Sequence, residues 1–186
     1  MTISNQFRDD LLASVPSLRA FGLSLTSRSD RADDLVQETL VKAWKYHESF
    51  TMGTNMKAWL YTILRNEFYS QLRKRKREVE DAEGVYSSKV SVPAEQEGHL
   101  DLADLTNALA KLPEDQREAI VLVGASGFSY EEAAKICGCA VGTIKSRVNR
   151  ARNRLGQLLQ LEVQHQIHQG GKSSTELVAA KPGDHN

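Results

Sequence analysis

Apolar positions recur every three or four residues along most of this chain, the period of amphipathic helices, and no alternating strand pattern interrupts them. Phe7, Leu11, Leu12, Val15, Leu18, Phe21 and Leu25 mark a first helix, with Pro16 a place for a bend. Ser29 and Asp30 predict the cap of a second helix, whose first turn carries Asp33 and Asp34 against the helix dipole. Its expected buried stripe is Ala32, Leu35, Val36, Leu40, Ala43 and Trp44, which leaves Asp34, Gln37, Glu38 and Lys42 facing outward. The stretch 47–55 contains Gly53 and no period, so it reads as a loop of the kind that often carries function. Thr54 or Asn55 then caps a third helix with Met56, Trp59, Leu60, Ile63, Leu64, Phe68 and Leu72 as its core face. A later pair of helices is marked by Leu100, Leu102, Leu105, Ala108, Leu109 and Leu112, and, after Pro113, by Ile120, Val121 and Val123.

Residues 127–159 predict two further helices around a tight turn. Ser129 with Glu132 three positions on is a capping box, and Gly138 suits a helix end that needs positive φ. Beyond the turn Ile144, Val148, Ala151, Leu155 and Leu159 form an apolar stripe. At about 100° per residue, Thr143, Ser146, Arg147, Arg150 and Arg154 fall on the opposite face, flanked by Lys145 and Arg152. No acidic residue lies between Thr143 and Leu161. A helix-turn-helix with a single-sign basic outer face has what a major-groove reader needs, namely a rod that fits the groove and cations that reach base edges and phosphates. A merely solvated amphipathic helix would not need the capping box, the glycine turn and the charge asymmetry together.

Charge sharpens this picture by its distribution and not by its sum. The 186 residues have a formal net charge of zero, yet six Lys or Arg lie between Arg65 and Arg77 and five between Lys145 and Arg154. Arg73, Lys74, Arg75, Lys76 and Arg77 crowd the end of the third helix, more charge than a helix dipole calls for, and read as a phosphate-binding patch. Trp59 and Phe68 on that helix are expected in the core, while Tyr61 and Tyr69 stand open between the core and stacking on unpaired bases. Between Val79 and Gly98 the composition turns acidic and small without an apolar period, as a linker does, and after about Val163 it becomes tail-like. The fold class expected is therefore all-α, with two small helical domains at 1–78 and 99–163, a flexible linker at 79–98 and a disordered tail at 164–186.

Other chemistry finds little support. Cys137 and Cys139 flank the Gly138 turn where packing wants small apolar groups, and without a nearby His they cannot complete a zinc site. No catalytic residue, metal or cofactor is expected, because the carboxylate clusters lie on solvated helix faces and no nucleophile is paired with a base. No run approaches the ~18 apolar residues of a membrane span, and no basic-then-apolar leader opens the chain, so the expectation is a cytoplasmic protein with no membrane partner.

DRADDLVQETLVKAWKY (30–46), KAWLYTILRNEFYSQLRKRKR (57–77), LPEDQREAI (112–120) and the helix-turn-helix from Gly127 to Leu155 together resemble an extracytoplasmic-function (ECF) sigma factor of bacterial RNA polymerase. RNEFYSQLRKRKREVED followed by ICGCAVGTIKSRVNRAR is similar to the general-stress-response EcfG type of alphaproteobacteria. The resemblance implies sigma region 2 in the first domain and the helix-turn-helix of sigma region 4 in the second. It implies docking of Asp34, Gln37 and Glu38 on the β′ clamp helices of core polymerase. The −10 promoter element and a flipped base would lie against the third helix and the preceding loop, with Asn66, Tyr69 and the basic residues Arg73 to Arg77 in contact. The −35 element would be read by Thr143, Lys145, Ser146, Arg147, Arg150 and Arg154. Ala140 stands where many relatives have a serine N-cap, a difference of about 1 kcal/mol of capping, and Ser70 where many have an aspartate. The EcfG likeness further implies control by a NepR-like anti-sigma factor that a PhyR-like protein draws away. The rival reading is a sigma mimic that binds such an anti-sigma factor without binding DNA, which would need neither basic helix.

Overall fold

The computed structural model describes residues 4–51, 53–81 and 100–170. Seven α-helices follow in order among the described residues: α1 (Asn5–Thr26), α2 (Ser29–Lys45), α3 (Met56–Asp81), α4 (Leu100–Ala110), α5 (Glu114–Ile120), α6 (Tyr130–Cys137) and α7 (Val141–Gly170). A single 3-10 turn, His47–Ser49, breaks the expected loop between α2 and α3.

Helix ends follow local chemistry where the sequence supplies it. Ser4 caps α1 by accepting from the Phe7 amide, and Asn55 caps α3 through its Oδ1, which accepts from the Ala58 amide at 3.0 Å. Pro16 sits inside an unbroken α1. The expected cap of α2 fails. Arg28 occupies the N-cap with no side-chain bond, and Asp30 instead accepts from the Arg28 guanidinium at 2.6 Å, so the first carboxylate is spent on an ion pair. α5 runs on into a π-turn at Val121–Ala125, closed by the Ser126 amide donating to Val121 O, and Gly127 at φ +76° then turns the chain to bury Phe128.

α1, α2 and α3 pack on one another around Leu18, Phe21, Leu35, Leu60 and Leu64, all essentially without exposure. Two expected members of that core lie elsewhere. Leu12, on α1, is 59% exposed, since the buried face there runs through Phe7, Leu11 and Leu18; Trp44 is 47% exposed because the α2 stripe steps through Ala32, Leu35, Val36, Thr39 and Ala43, and position 44 lies a further 100° round. Thr39 takes the buried place by donating its hydroxyl to Leu35 O at 2.7 Å.

α4 to α7 form a second set, with Ala108 and Leu112 packed on Ala151 and Leu155. The two sets share one core. Tyr61 stacks on Phe21 with ring centroids 4.6 Å apart and meets Phe128 edge-on at 5.0 Å. Tyr61 reaches this contact from α3 and Phe128 from the turn that leads into α6. Residues 82–98 of the expected linker lie outside the described residues, while 79–81 continue α3. Likewise α7 runs to Gly170, and the expected tail beyond it falls outside the description.

Candidate docking and nucleic-acid surfaces

The capping box forms as the spacing requires. The Ser129 hydroxyl accepts from the Glu132 amide at 3.1 Å, the Glu132 carboxylate accepts from the Ser129 amide at 2.9 Å, and Gly138 ends α6 at φ +61°. This fixes α6 against α7, whose Ile144, Val148 and Ala151 are buried. Lys145, Ser146, Arg150 and Arg154 are exposed, and Thr143 is half-buried at the start of the helix.

Arg147 departs from the expected free basic face. It is half-buried, with its Nε 3.1 Å from Asp115 Oδ2 and a guanidinium nitrogen 3.9 Å from Cys139 Sγ. The acid comes from α5, so a search for carboxylates along α7 alone could not find it. Cys139 is itself only half-buried, unlike Cys137, whose thiol is pushed up to about 12 by burial and the neighbouring Glu118.

On the first set of helices, Asp34, Gln37 and Glu38 are exposed along one face of α2. Val41, one turn on, is 63% exposed and extends that face with an apolar surface that the sequence pattern did not single out. Asp33, at the edge, is held by Arg19 at 2.5 Å and lies below the ordinary carboxylate range through that bond.

α2, the 3-10 turn and α3 enclose a cavity of about 440 Å³. Trp59, Ile63, Asn66, Glu67, Ser70 and Arg73 line it from α3, spaced three and four apart on one face; Lys42, Tyr46 and Ser49 close the other side. Glu67 accepts from Lys42 Nζ and, at 2.9 Å, from Gln71 Nε2. Burial alone would raise its carboxyl, but these donors outweigh burial and hold it below the ordinary range. Asn66, Arg73 and, through the loop before α3, Ser49 agree with the expected −10 surface; Lys42, Tyr46 and Glu67 add to it, and only Glu67, next to Asn66 on α3, had a signal in the sequence. The cavity has the ingredients for an unstacked base, with aromatic faces in Trp59 and Tyr46 and polar groups at its rim.

Arg73, Lys74, Lys76 and Arg77 are exposed at the end of α3. Arg75 is half-buried and its Nε donates to Gln71 O at 3.4 Å. The two tyrosines left open both point away from the solvent face. Tyr61 is buried and its hydroxyl donates to Ser17 O at 3.0 Å. Tyr69 donates to Glu118 Oε2 at 3.3 Å with Arg65 over its ring at 4.7 Å, and burial beside Glu118 raises its phenol. Tyr69 therefore belongs to the seam between the two sets of helices and not to the basic surface. The same seam holds Arg65 against the fully buried Glu118, Lys57 Nζ on Ser126 O at 2.7 Å, and Asn55 Nδ2 on Glu132 Oε1 at 2.9 Å.

Residues 12–78 match the Sigma-70 region 2 family and residues 102–155 the Sigma-70 region 4 family. The chain is 60% identical over 162 residues to the ECF RNA polymerase sigma factor EcfG of Rhodopseudomonas palustris, an alignment that covers 87% of this chain and 90% of that protein. The chain belongs to the ECF sigma factors of RNA polymerase. Its fold is similar to that of the sigma factor RpoE of Bartonella quintana, solved in complex with the anti-sigma factor NepR, with a TM-score of 0.77, 62% identity and coverage of 84% of this chain and 98% of that one. It is similar also to CnrH, solved with the cytosolic domain of CnrY, with a TM-score of 0.63, 28% identity and coverage of 85% and 91%. In this ECF sigma factor α1 to α3 thus make up the region 2 unit and α4 to α7 the region 4 unit. The exposed basic face of α7 belongs to the helix-turn-helix of region 4.

Proposed function

We propose that this sigma factor directs general-stress promoters, docking on core polymerase through Asp34, Gln37, Glu38 and the adjoining Val41 of α2. The cavity between α2 and α3 receives a flipped base of the −10 element, while Arg73, Lys74, Lys76 and Arg77 neutralise strand phosphates. Lys145, Ser146, Arg150 and Arg154 read the −35 element, with Thr143 at the helix start beside the phosphate backbone. Arg147 and Arg75 contribute once their present partners release them.

The observation that carries this reading is the exposure of both basic surfaces, on α3 and on α7, in one chain that is 60% identical to a sigma factor over 162 residues. A mimic that only binds an anti-sigma factor has no use for either surface.

Spacing adds a consequence. Elements named −35 and −10 lie about 25 base pairs apart, or about 85 Å of B-form DNA, whereas a compact body of this size is about 40 Å across. The units packed through Tyr61 and Phe128 must separate to engage both. The arrangement described is accordingly the resting form, the one a NepR-like anti-sigma factor would hold, since a sigma factor 62% identical was solved with NepR. The protein would act in the cytoplasm, where polymerase and chromosome are.

Glu38→Lys tests the docking face. The substitution reverses an exposed charge without touching the α2 stripe, so stability should shift by no more than about 0.5 kcal/mol while assembly with core polymerase weakens. Unchanged assembly would remove α2 from the interface.

A further inference from the structure

Three arginines from three helices meet at a second cavity, of about 180 Å³, on the seam between the two units. Arg31 comes from α2, Arg75 from α3 and Arg117 from α5, above an apolar floor that includes Phe68 and Leu72. Glu114 is the one acidic side chain in the lining, so the formal charge there is three minus one, or +2.

Arginines elsewhere in the described chain have carboxylate partners within 4 Å when they are drawn toward the protein: Arg19 has Asp33, Arg28 has Asp30, Arg65 has Glu118 and Arg147 has Asp115. This trio differs. Arg117 is only 8% exposed; one terminal nitrogen donates to Ser27 Oγ at 3.2 Å, and its buried Nε has no acceptor. Arg75 is half-buried, and its one side-chain bond among the described residues is the long one to Gln71 O. Arg31 makes no side-chain hydrogen bond or ion pair among the described residues, and its charge faces that of Arg75, which together with burial lowers the Arg75 guanidinium. Glu114 acts on Arg117 from beyond ion-pair distance, so the buried guanidinium is undercompensated, and that cost falls when an anion accepts from its free donor.

We propose that this cavity binds a small phosphate-bearing anion, which bridges Arg31 and Arg75 of the region 2 unit to Arg117 of the region 4 unit. A dianionic phosphate matches the +2 lining, where a single carboxylate would leave a charge uncompensated. At about 30 Å³ per water, the cavity has the volume of roughly six waters, enough for a phosphate group and bridging solvent. Because its donors come from both units, the site exists only while they are packed together. Ligand at ten times its Kd would favour the packed form about elevenfold. This goes beyond the assignment of promoter and polymerase surfaces and is read without either.

The test is titration of the full chain with inorganic phosphate and with pyrophosphate, at ionic strength held constant with NaCl, followed by calorimetry and thermal melting. Saturable one-site binding is expected, with a raised Tm in the wild type. Arg31→Gln, an exposed change that relieves the repulsion with Arg75 and so should not lower the unliganded Tm, should weaken binding at least tenfold, and the exposed Arg8→Gln should not. Non-saturating binding, or equal binding by Arg31→Gln, would overturn the site. So would binding confined to a single-stranded oligonucleotide, which would make the cavity a contact for DNA backbone. Binding that appears only after Glu83, Glu95 and Glu97 are changed to Gln would overturn it too, by making the occupant a carboxylate of this chain.

Discussion

Arg65 Nε lies 2.6 Å from Oε1 of Glu118, an ion pair that joins α3 of the region 2 unit to α5 of the region 4 unit where the carboxylate has no exposure at all. Burial pushes the Glu118 carboxyl upward, and the guanidinium and the Tyr69 hydroxyl act against that. A charged pair in an apolar seam gives a closure that water can replace on opening, unlike a purely hydrophobic seam, which would hold the units shut.

Removing one partner should expose how much that closure relies on compensation. Glu118→Ala leaves the partly buried Arg65 without its carboxylate, and breaking a buried pair in this way costs at most about 3 to 5 kcal/mol. Part of that loss should appear as separation of the units, seen as an increased radius of gyration by small-angle scattering. The double replacement Arg65→Met with Glu118→Leu should recover much of the compaction, since an apolar pair needs no compensation. A scattering profile unchanged in Glu118→Ala would show that the aromatic contacts with the Lys57 and Asn55 bonds hold the seam without the ion pair.

The Lys42 and Glu67 pair in the α2–α3 cavity carries a pH signature. Glu67 titrates below its ordinary value of 4.5 in the folded chain, so its contribution is fully present above pH 4.5 and is lost as pH falls through the lowered folded value. Glu67→Gln keeps the shape but cannot titrate. The stability difference between the two proteins should therefore be constant above pH 4.5 and shrink below it, as measured by urea denaturation. A difference that grows as the pH falls through this range, or that does not change at all, would contradict the assigned shift.

Asp115 restrains Arg147. Asp115→Asn removes the ion pair at 3.1 Å and a negative charge beside the recognition helix. Binding of a −35 duplex should tighten, and the slope of log K against log salt should steepen by about one as Arg147 gains a phosphate. Fluorescence anisotropy across a salt series reads both quantities, and an unaltered slope would mean that Arg147 already reaches DNA.

Much of this was legible in the chain itself. The helix-turn-helix could be read because a capping box at Ser129 and Glu132 and a positive φ at Gly138 are local demands with few residue types that meet them. The α2 face could be read because Asp34, Gln37 and Glu38 are decided by helix geometry alone. Three side chains have surroundings that the sequence did not show, for one reason. Tyr69, Arg147 and Arg75 have their surroundings set by Glu118, Asp115 and Arg31, each on a different helix, and helical period says nothing about what arrives from elsewhere. Trp44 failed more simply, since a buried Thr39 with its hydroxyl bonded to the backbone shifted the stripe by one position.

Promoter binding by reconstituted holoenzyme tests the central claim most directly, comparing wild type with Arg150→Ala on a native promoter and on one altered in its −35 element. Arg150 projects from the exposed face of α7, where a guanidinium can make two bonds to a guanine edge worth about 1 to 3 kcal/mol of discrimination. The account predicts a loss of about fivefold to a hundredfold on the native promoter and little further loss on the altered one, whose partner base is already gone. Equal losses on both promoters, or none on either, would contradict the assignment of α7 as the helix that reads the −35 element.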